Sequence, residues 1–135
     1  MRQSRFSDLI QALPVTSSGG DLGTVVTDVC YDSRLARPGS LFVALRGGYT
    51  DGHRYLADAR ARGAVAALVE SWEPDLTDYP AYAAVPNTRA ALPLVAATFF
   101  DRPSEALGVI GITGTDGKTT TSYLVDAMLR SAGYR

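Results

Sequence analysis

Apolar residues at Phe6, Leu9, Ile10 and Leu13 follow the i, i+3, i+4, i+7 spacing of one helical face. They predict a short amphipathic helix that ends before Pro14. The period then changes. Residues 16–23, TSSGGDLG, carry turn chemistry with little side-chain bulk, while 24–32 (TVVTDVCYD) and 40–45 (SLFVAL) read as strands. Pro38-Gly39 marks a tight turn between them. A glycine-rich loop, GGYTDGH at 47–53, leads into a helix predicted from about His53 to Gly63, which stands as its C′ glycine. AVAALVE (64–70) is continuously apolar, the mark of a strand covered on both faces.

Residues 71–80, SWEPDLTDYP, read as a loop, with Trp72 as a local lid over the core; 81–85 (AYAAV) read as a further strand. Asn87 is placed to cap a helix running to about Phe100, in which Pro93 implies a kink or a later start. DRPSEA (101–106) reads as a linker. After it, 107–113 (LGVIGIT) has the character of a buried strand, and Thr121, Leu124, Val125 and Met128 form the stripe of a closing helix. Alternation of strand and helix predicts an α/β fold. A small N-terminal unit, 1–100, is expected to precede the first strand–loop–helix piece, 107–135, of a parallel-sheet ATPase domain. One strand and one helix cannot bury both faces of that strand, so the chain is expected to be a fragment.

Composition narrows the classes. The 135 residues are 46% hydrophobic and 20% charged, with a formal net charge of -1. No basic field is present to attract nucleic acid or an anionic membrane. No segment approaches the roughly 18 consecutive apolar residues of a membrane span. Cys30 is the only cysteine, which excludes an internal disulfide and a cysteine-based zinc site, and it reads as a buried strand residue. The expectation is a soluble, cytoplasmic protein.

The sharpest chemistry lies at 111–121, GITGTDGKTTT. Glycines at 111, 114 and 117 let the backbone turn and bring N–H groups against phosphate oxygens, and the helix that follows adds its own free N–H groups. Lys118 is placed to reach the β- and γ-phosphates of ATP, and Thr119 to give its hydroxyl to a bridging Mg2+. The backbone from Gly114 through Thr115, Asp116, Gly117, Lys118, Thr119 and Thr120 forms the candidate cradle. The general G-x-x-x-x-G-K-[ST] pattern is not met, because its first glycine position is Ile112.

The variant TGTDGKTTT resembles the ATP loop of the Mur ligases, the amide-forming enzymes of peptidoglycan synthesis, with Asp116 where the family usually has asparagine. A carboxylate there is unfavourable beside phosphates unless it points away or meets a cation. The upstream run D-S-R (32–34), P-G-S-L-F-V-A (38–44), D-G-H (51–53) and G-A-V-A (63–66) resembles the N-terminal substrate domain of the same family. The Pro-Ser of the linker, followed by T-G-T-x-G-K-T-T-T, favours the tripeptide-synthetase branch.

That resemblance implies an ATP-dependent ligase that acts through an acyl phosphate. It adds the third amino acid (meso-diaminopimelate, lysine or ornithine) to UDP-N-acetylmuramoyl-L-alanyl-D-glutamate. Tyr31 and Ser33, joined by Gly48, Tyr49 and Thr50, are implied to lie against the uridine nucleotide, and Lys118 to act in catalysis. Arg34 and Arg46 are placed to assist with the diphosphate. The same residues have plainer readings. Asp32-Ser33-Arg34 also reads as an Asx turn with an internal ion pair, and His53 as a hydrogen bond at a helix start. Rival functions are the dipeptide-adding ligase of the family, a non-catalytic module binding UDP-sugar peptides, and an unrelated P-loop kinase.

Overall fold

The computed structural model describes residues 2–48, 50–71 and 74–134. It divides into two units, 1–103 and 104–135. In the first, a five-stranded sheet carries β2 (Ser17–Gly20), β4 (Asp28–Cys30), β5 (Ser40–Val43), β6 (Ala66–Val69) and β7 (Ala81–Ala84) in the order β2-β7-β6-β5-β4. The four from β4 to β7 are parallel, and β2 runs antiparallel along β7. A separate two-stranded ribbon pairs β1 (Ser4–Arg5) with β3 (Val25–Val26). Helices α1 (Phe6–Ile10), α2 (Leu56–Ala61) and α3 (Thr88–Phe99) complete the unit. The α/β expectation holds.

Every residue of β5 and β6 is buried, because alternate side chains feed two cores. Leu41, Val43 and Leu68 pack with Phe6 and Leu9 of α1 and Val95 and Phe99 of α3. Phe42, Ala67 and Val69 face the other way, toward Leu56 and Ala59 of α2 and toward Leu76 and Tyr79. Local chemistry sets the ends. Asn87 Oδ1 accepts the Ala90 N–H at 2.9 Å and caps α3, and Gly63, with φ +105°, follows α2 as its C′ residue.

Several expectations change. Of the turn expected over 16–23, residues 21–23 turn, but Ser17–Gly20 form β2, since Gly19 lies under the Tyr82 ring, where a Cβ would stand 2.7 Å from the ring atoms. The strand expected over 24–32 breaks at Thr27, whose N–H donates to Gly39 O at 2.9 Å, and its halves join different sheets. Pro93 lies inside α3 without delaying its start, at the cost of one backbone bond. Residues 74–78 of the expected loop form a 3-10 turn, and Trp72 lies outside the described residues.

The second unit contains α4 (Lys118–Ser131). The strand expected over 107–113 is not formed: a strand exists only through a paired neighbour, and among the described residues none pairs with this segment. Leu107, Val109 and Ile110 stand exposed. Just before this unit, Asp101 and Arg102 take φ +57° and +48°, a conformation strained for residues with a Cβ.

Candidate functional site

A cavity of about 500 Å³ opens beside the carboxyl ends of β4 and β5. Ligands of open α/β sheets commonly bind outside the carboxyl ends of the strands. Tyr31, Asp32, Ser33 and Arg34, which follow β4, form one wall. Leu45, Gly47, Thr50 and Gly52, which follow β5, form another, and Tyr55 and Asp58 close it from the start of α2. Phe42 is its floor and is 1% exposed, so core and cavity share that ring.

The loop after β5 is held by its own backbone. Gly47 N–H donates to Thr50 O at 2.9 Å, and Gly52 N–H to Leu45 O at 2.8 Å. A Cβ on Gly52 would meet Leu45 N at 2.7 Å, so only glycine fits. Of the residues expected against a uridine nucleotide, Tyr31, Ser33 and Thr50 line this one cavity. Gly48 is exposed in the same loop and does not line it; Tyr49 lies outside the described residues.

The Asp32–Arg34 turn forms its internal ion pair. Asp32 Oδ1 accepts the Arg34 backbone N–H at 3.0 Å, and the guanidinium donates to the same carboxylate at 2.7 to 3.2 Å. That side chain holds Asp32 well below the usual carboxylate range, at about 2. The guanidinium is thus engaged and points into solvent. Ser33 is buried, and its hydroxyl is the main cause of a depressed Asp58 carboxyl. Asp58 was not legible as a cavity residue: with Arg62 it makes an i, i+4 pair at 3.2 Å, which reads as a solvated helix face.

His53 is buried, and its ring has two partners. Nδ1 lies 2.6 Å from Asp51 Oδ1, and Nε2 accepts the Glu70 N–H at 2.9 Å. Because an N–H points at Nε2, the ring proton sits on Nδ1 and is donated to Asp51. The helix-start bond is present as well, from His53 N–H to Asp51 Oδ1 at 3.0 Å. Cys30 is buried as expected, and burial together with Asp28 pushes its thiol up to about 11.

In the second unit the glycine loop runs into α4. Gly117 has φ +75° with nothing within 4 Å of a Cβ position, and Gly114 has φ +153°. The first helical bond runs from Thr121 N–H to Gly117 O, and no side chain caps the helix. The N–H groups of Lys118, Thr119 and Thr120 therefore stand open at its positive end, a donor set that fits the phosphates of ATP. The Lys118 ammonium is folded back onto the carbonyls of Gly114 and of Thr115, the latter at 3.1 Å. Thr119 is exposed and free to offer its hydroxyl to Mg2+, whereas Ser122 spends its own on Thr119 O at 2.7 Å.

A sequence profile described as "Mur ligase family, catalytic domain" matches residues 25–110, which is more than half of the chain. The chain belongs to the Mur ligase family. The profile match covers β3 to α3 and stops short of the glycine loop. The UDP-N-acetylmuramyl-tripeptide synthetase of Deinococcus radiodurans is 47% identical over 131 residues, 96% of this chain and 27% of that protein. The UDP-N-acetylmuramoyl-L-alanyl-D-glutamate--2,6-diaminopimelate ligase of Solibacter usitatus is 54% identical over 111 residues, 82% of this chain and 22% of that protein. Among solved structures, MurF from Acinetobacter baumannii superposes with a TM-score of 0.77 at 29% identity, over 97% of this chain and 28% of its own. MurF ligase from Thermotoga maritima in complex with ADP gives 0.60 at 26% identity, over 78% and 24%. The chain spans about a quarter of these Mur ligases.

Proposed function

We propose that the chain carries the nucleotide-sugar site and the ATP loop of a cytoplasmic ligase of peptidoglycan precursor synthesis. The ligase joins diaminopimelate, lysine or ornithine to UDP-N-acetylmuramoyl-L-alanyl-D-glutamate. One observation carries the choice of step: the relatives named for it are 47% and 54% identical to this chain, whereas the dipeptide-adding MurF structures are 26% and 29% identical. A second reading, the dipeptide-adding ligase, draws on the fold similarity to MurF, which a substrate unit of common architecture also accounts for.

In this proposal residues 1–100 form the substrate domain and 107–135 begin the ATP-binding one, joined by 101–106. The Ser33 hydroxyl, turned from Asp58, donates to the nucleotide, Tyr31 or Tyr49 covers the base, and Gly48 and Thr50 supply close backbone and a hydroxyl. The open N–H groups of α4 hold the triphosphate, Lys118 neutralises charge on it, and Thr119 ligates Mg2+. ATP supplies the phosphoryl group that converts a carboxylate oxygen into a good leaving group. Calorimetry of the 135-residue chain with UDP-N-acetylmuramoyl-L-alanyl-D-glutamate tests the substrate assignment. Saturable binding, weakened at least about tenfold by Ser33→Ala, is expected; absence of binding by the wild-type chain overturns it.

A further inference from the structure

Beside the loop after β5, four residues close a ring. Arg46 Nε lies 3.4 Å from Asp51 Oδ2 and 3.6 Å from Glu70 Oε2. His53 spans the same two residues by another route, from Asp51 Oδ1 to the Glu70 backbone N–H. Glu70 is fixed in turn, since its Oε1 accepts the Thr88 N–H at 3.0 Å at the start of α3. The Thr88 hydroxyl, fully buried, donates to Ala44 O at 2.8 Å, where β5 gives way to the loop. The 46–51 loop is thereby tied to the ends of β5 and β6 and to the start of α3. Its residues Gly47 and Thr50 face the cavity, whereas His53, Glu70 and Thr88 do not line it.

We propose that His53 is a positioning residue for ligand binding: through Asp51 and Arg46 it holds the 46–51 loop where Gly47 and Thr50 complete the cavity wall. The ring suits this task because its two nitrogens do opposite work, one donating to a carboxylate and the other accepting from a backbone N–H. Lysine, which has donors only, cannot do both. An aromatic of equal shape fills the space and leaves Asp51 and the Glu70 N–H without their partner. The effect on affinity arises because an untied loop must be ordered again when ligand binds. The inference rests on the nucleotide reading only for the identity of the probe.

The test uses the 135-residue chain, UDP as ligand, and amide hydrogen exchange followed by NMR. In His53→Phe, the Gly47 and Gly52 amides are expected to exchange at least about tenfold faster while amides of β5, β6 and β7 keep their protection. UDP is expected to bind at least about fivefold more weakly, and His53→Asn, which retains a donor toward Asp51, is expected to recover part of that loss. A general weakening of the fold instead accelerates all amides together, and that result overturns the proposal. So does unchanged exchange at Gly47 and Gly52. If His53→Phe does not fold, Asp51→Ala decides by the same exchange criterion, because its side chain is 38% exposed and its removal takes away the partner of both His53 and Arg46. Failure of the wild-type chain to bind UDP removes the nucleotide assignment and leaves the exchange result to judge the brace.

Discussion

A Cβ built on Gly63 would stand 2.8 Å from both the Cα and the N of Pro38. The backbone of the two turns is also joined there, as the Gly39 N–H donates to Gly63 O at 3.0 Å. Gly63 combines this contact with φ +105°, so an added methyl meets rigid backbone in a conformation that already disfavours it. Gly63→Ala is expected to cost about 3 kcal/mol. Urea denaturation checks this; a loss below about 1 kcal/mol means that the two turns move apart freely.

Asn87 caps α3 through a single bond to the Ala90 N–H. Asn87→Ala is expected to lower stability by about 1 kcal/mol, and Asn87→Asp to leave it nearly unchanged, because the carboxylate accepts the same bond at a positive helix end. Thermal unfolding of the three proteins separates a capping role from mere surface occupancy.

The Cys30 thiol, raised from the usual 9.0 to about 11, gives a pH dependence whose sign is fixed. Between those values the unfolded chain releases the thiol proton and the folded chain keeps it. The unfolded state then binds fewer protons, and stability falls as pH rises. The loss is present only above about pH 9 and amounts to about 2 kcal/mol by pH 11. Cys30→Ala is expected to show a flatter stability curve over that window. Parallel curves show that the thiol ionises equally in both states.

Arg34 is the main reason that Asp32 titrates at about 2. A depressed carboxyl contributes stability above its ordinary value of 3.8, and that contribution is lost as pH falls toward 2. In Arg34→Met the Asp32 carboxyl is expected to titrate closer to 3.8, with the backbone bond from residue 34 retaining part of the shift. Carboxyl-carbon NMR reads this directly; an unmoved titration shows that the backbone bond alone sets it.

Because the chain spans about a quarter of its tripeptide-synthetase relatives, the 135-residue polypeptide is expected to release no phosphate from ATP when given UDP-N-acetylmuramoyl-L-alanyl-D-glutamate and diaminopimelate. A coupled phosphate assay with the purified chain checks this, and measurable turnover overturns the division of roles proposed for it.

What could be read from the residues depended on whether the cause was local. Asn87, Gly63 and the apolar runs at 40–45 and 64–70 announce cap, helix end and buried strands, since each acts on its own neighbours. The strand at Ser17–Gly20 was hidden because its fitness for pairing comes from Tyr82, 63 residues beyond Gly19, lying over a missing side chain. The division of 24–32 between two sheets was hidden for the same reason, the partner of Thr27 being Gly39. In the cavity, Tyr31, Ser33 and Thr50 were marked by motif, and the fold draws them together. Asp58 and Phe42 carried no mark, one looking like a helix-surface charge and the other like plain core. His53 signalled its bond to Asp51 two residues away but not its bond to Glu70, which needs β6 beside β5.

Phe42 gives the cavity an energetic tie to the rest of the unit, because the same ring closes the pocket and anchors one of the two cores. Any molecule seated on it adds weight to the native state, so occupancy and folding become one coupled equilibrium. A ligand at a hundred times its dissociation constant shifts that balance by about 2.7 kcal/mol, and a rising melting temperature becomes a readout of what this pocket accepts.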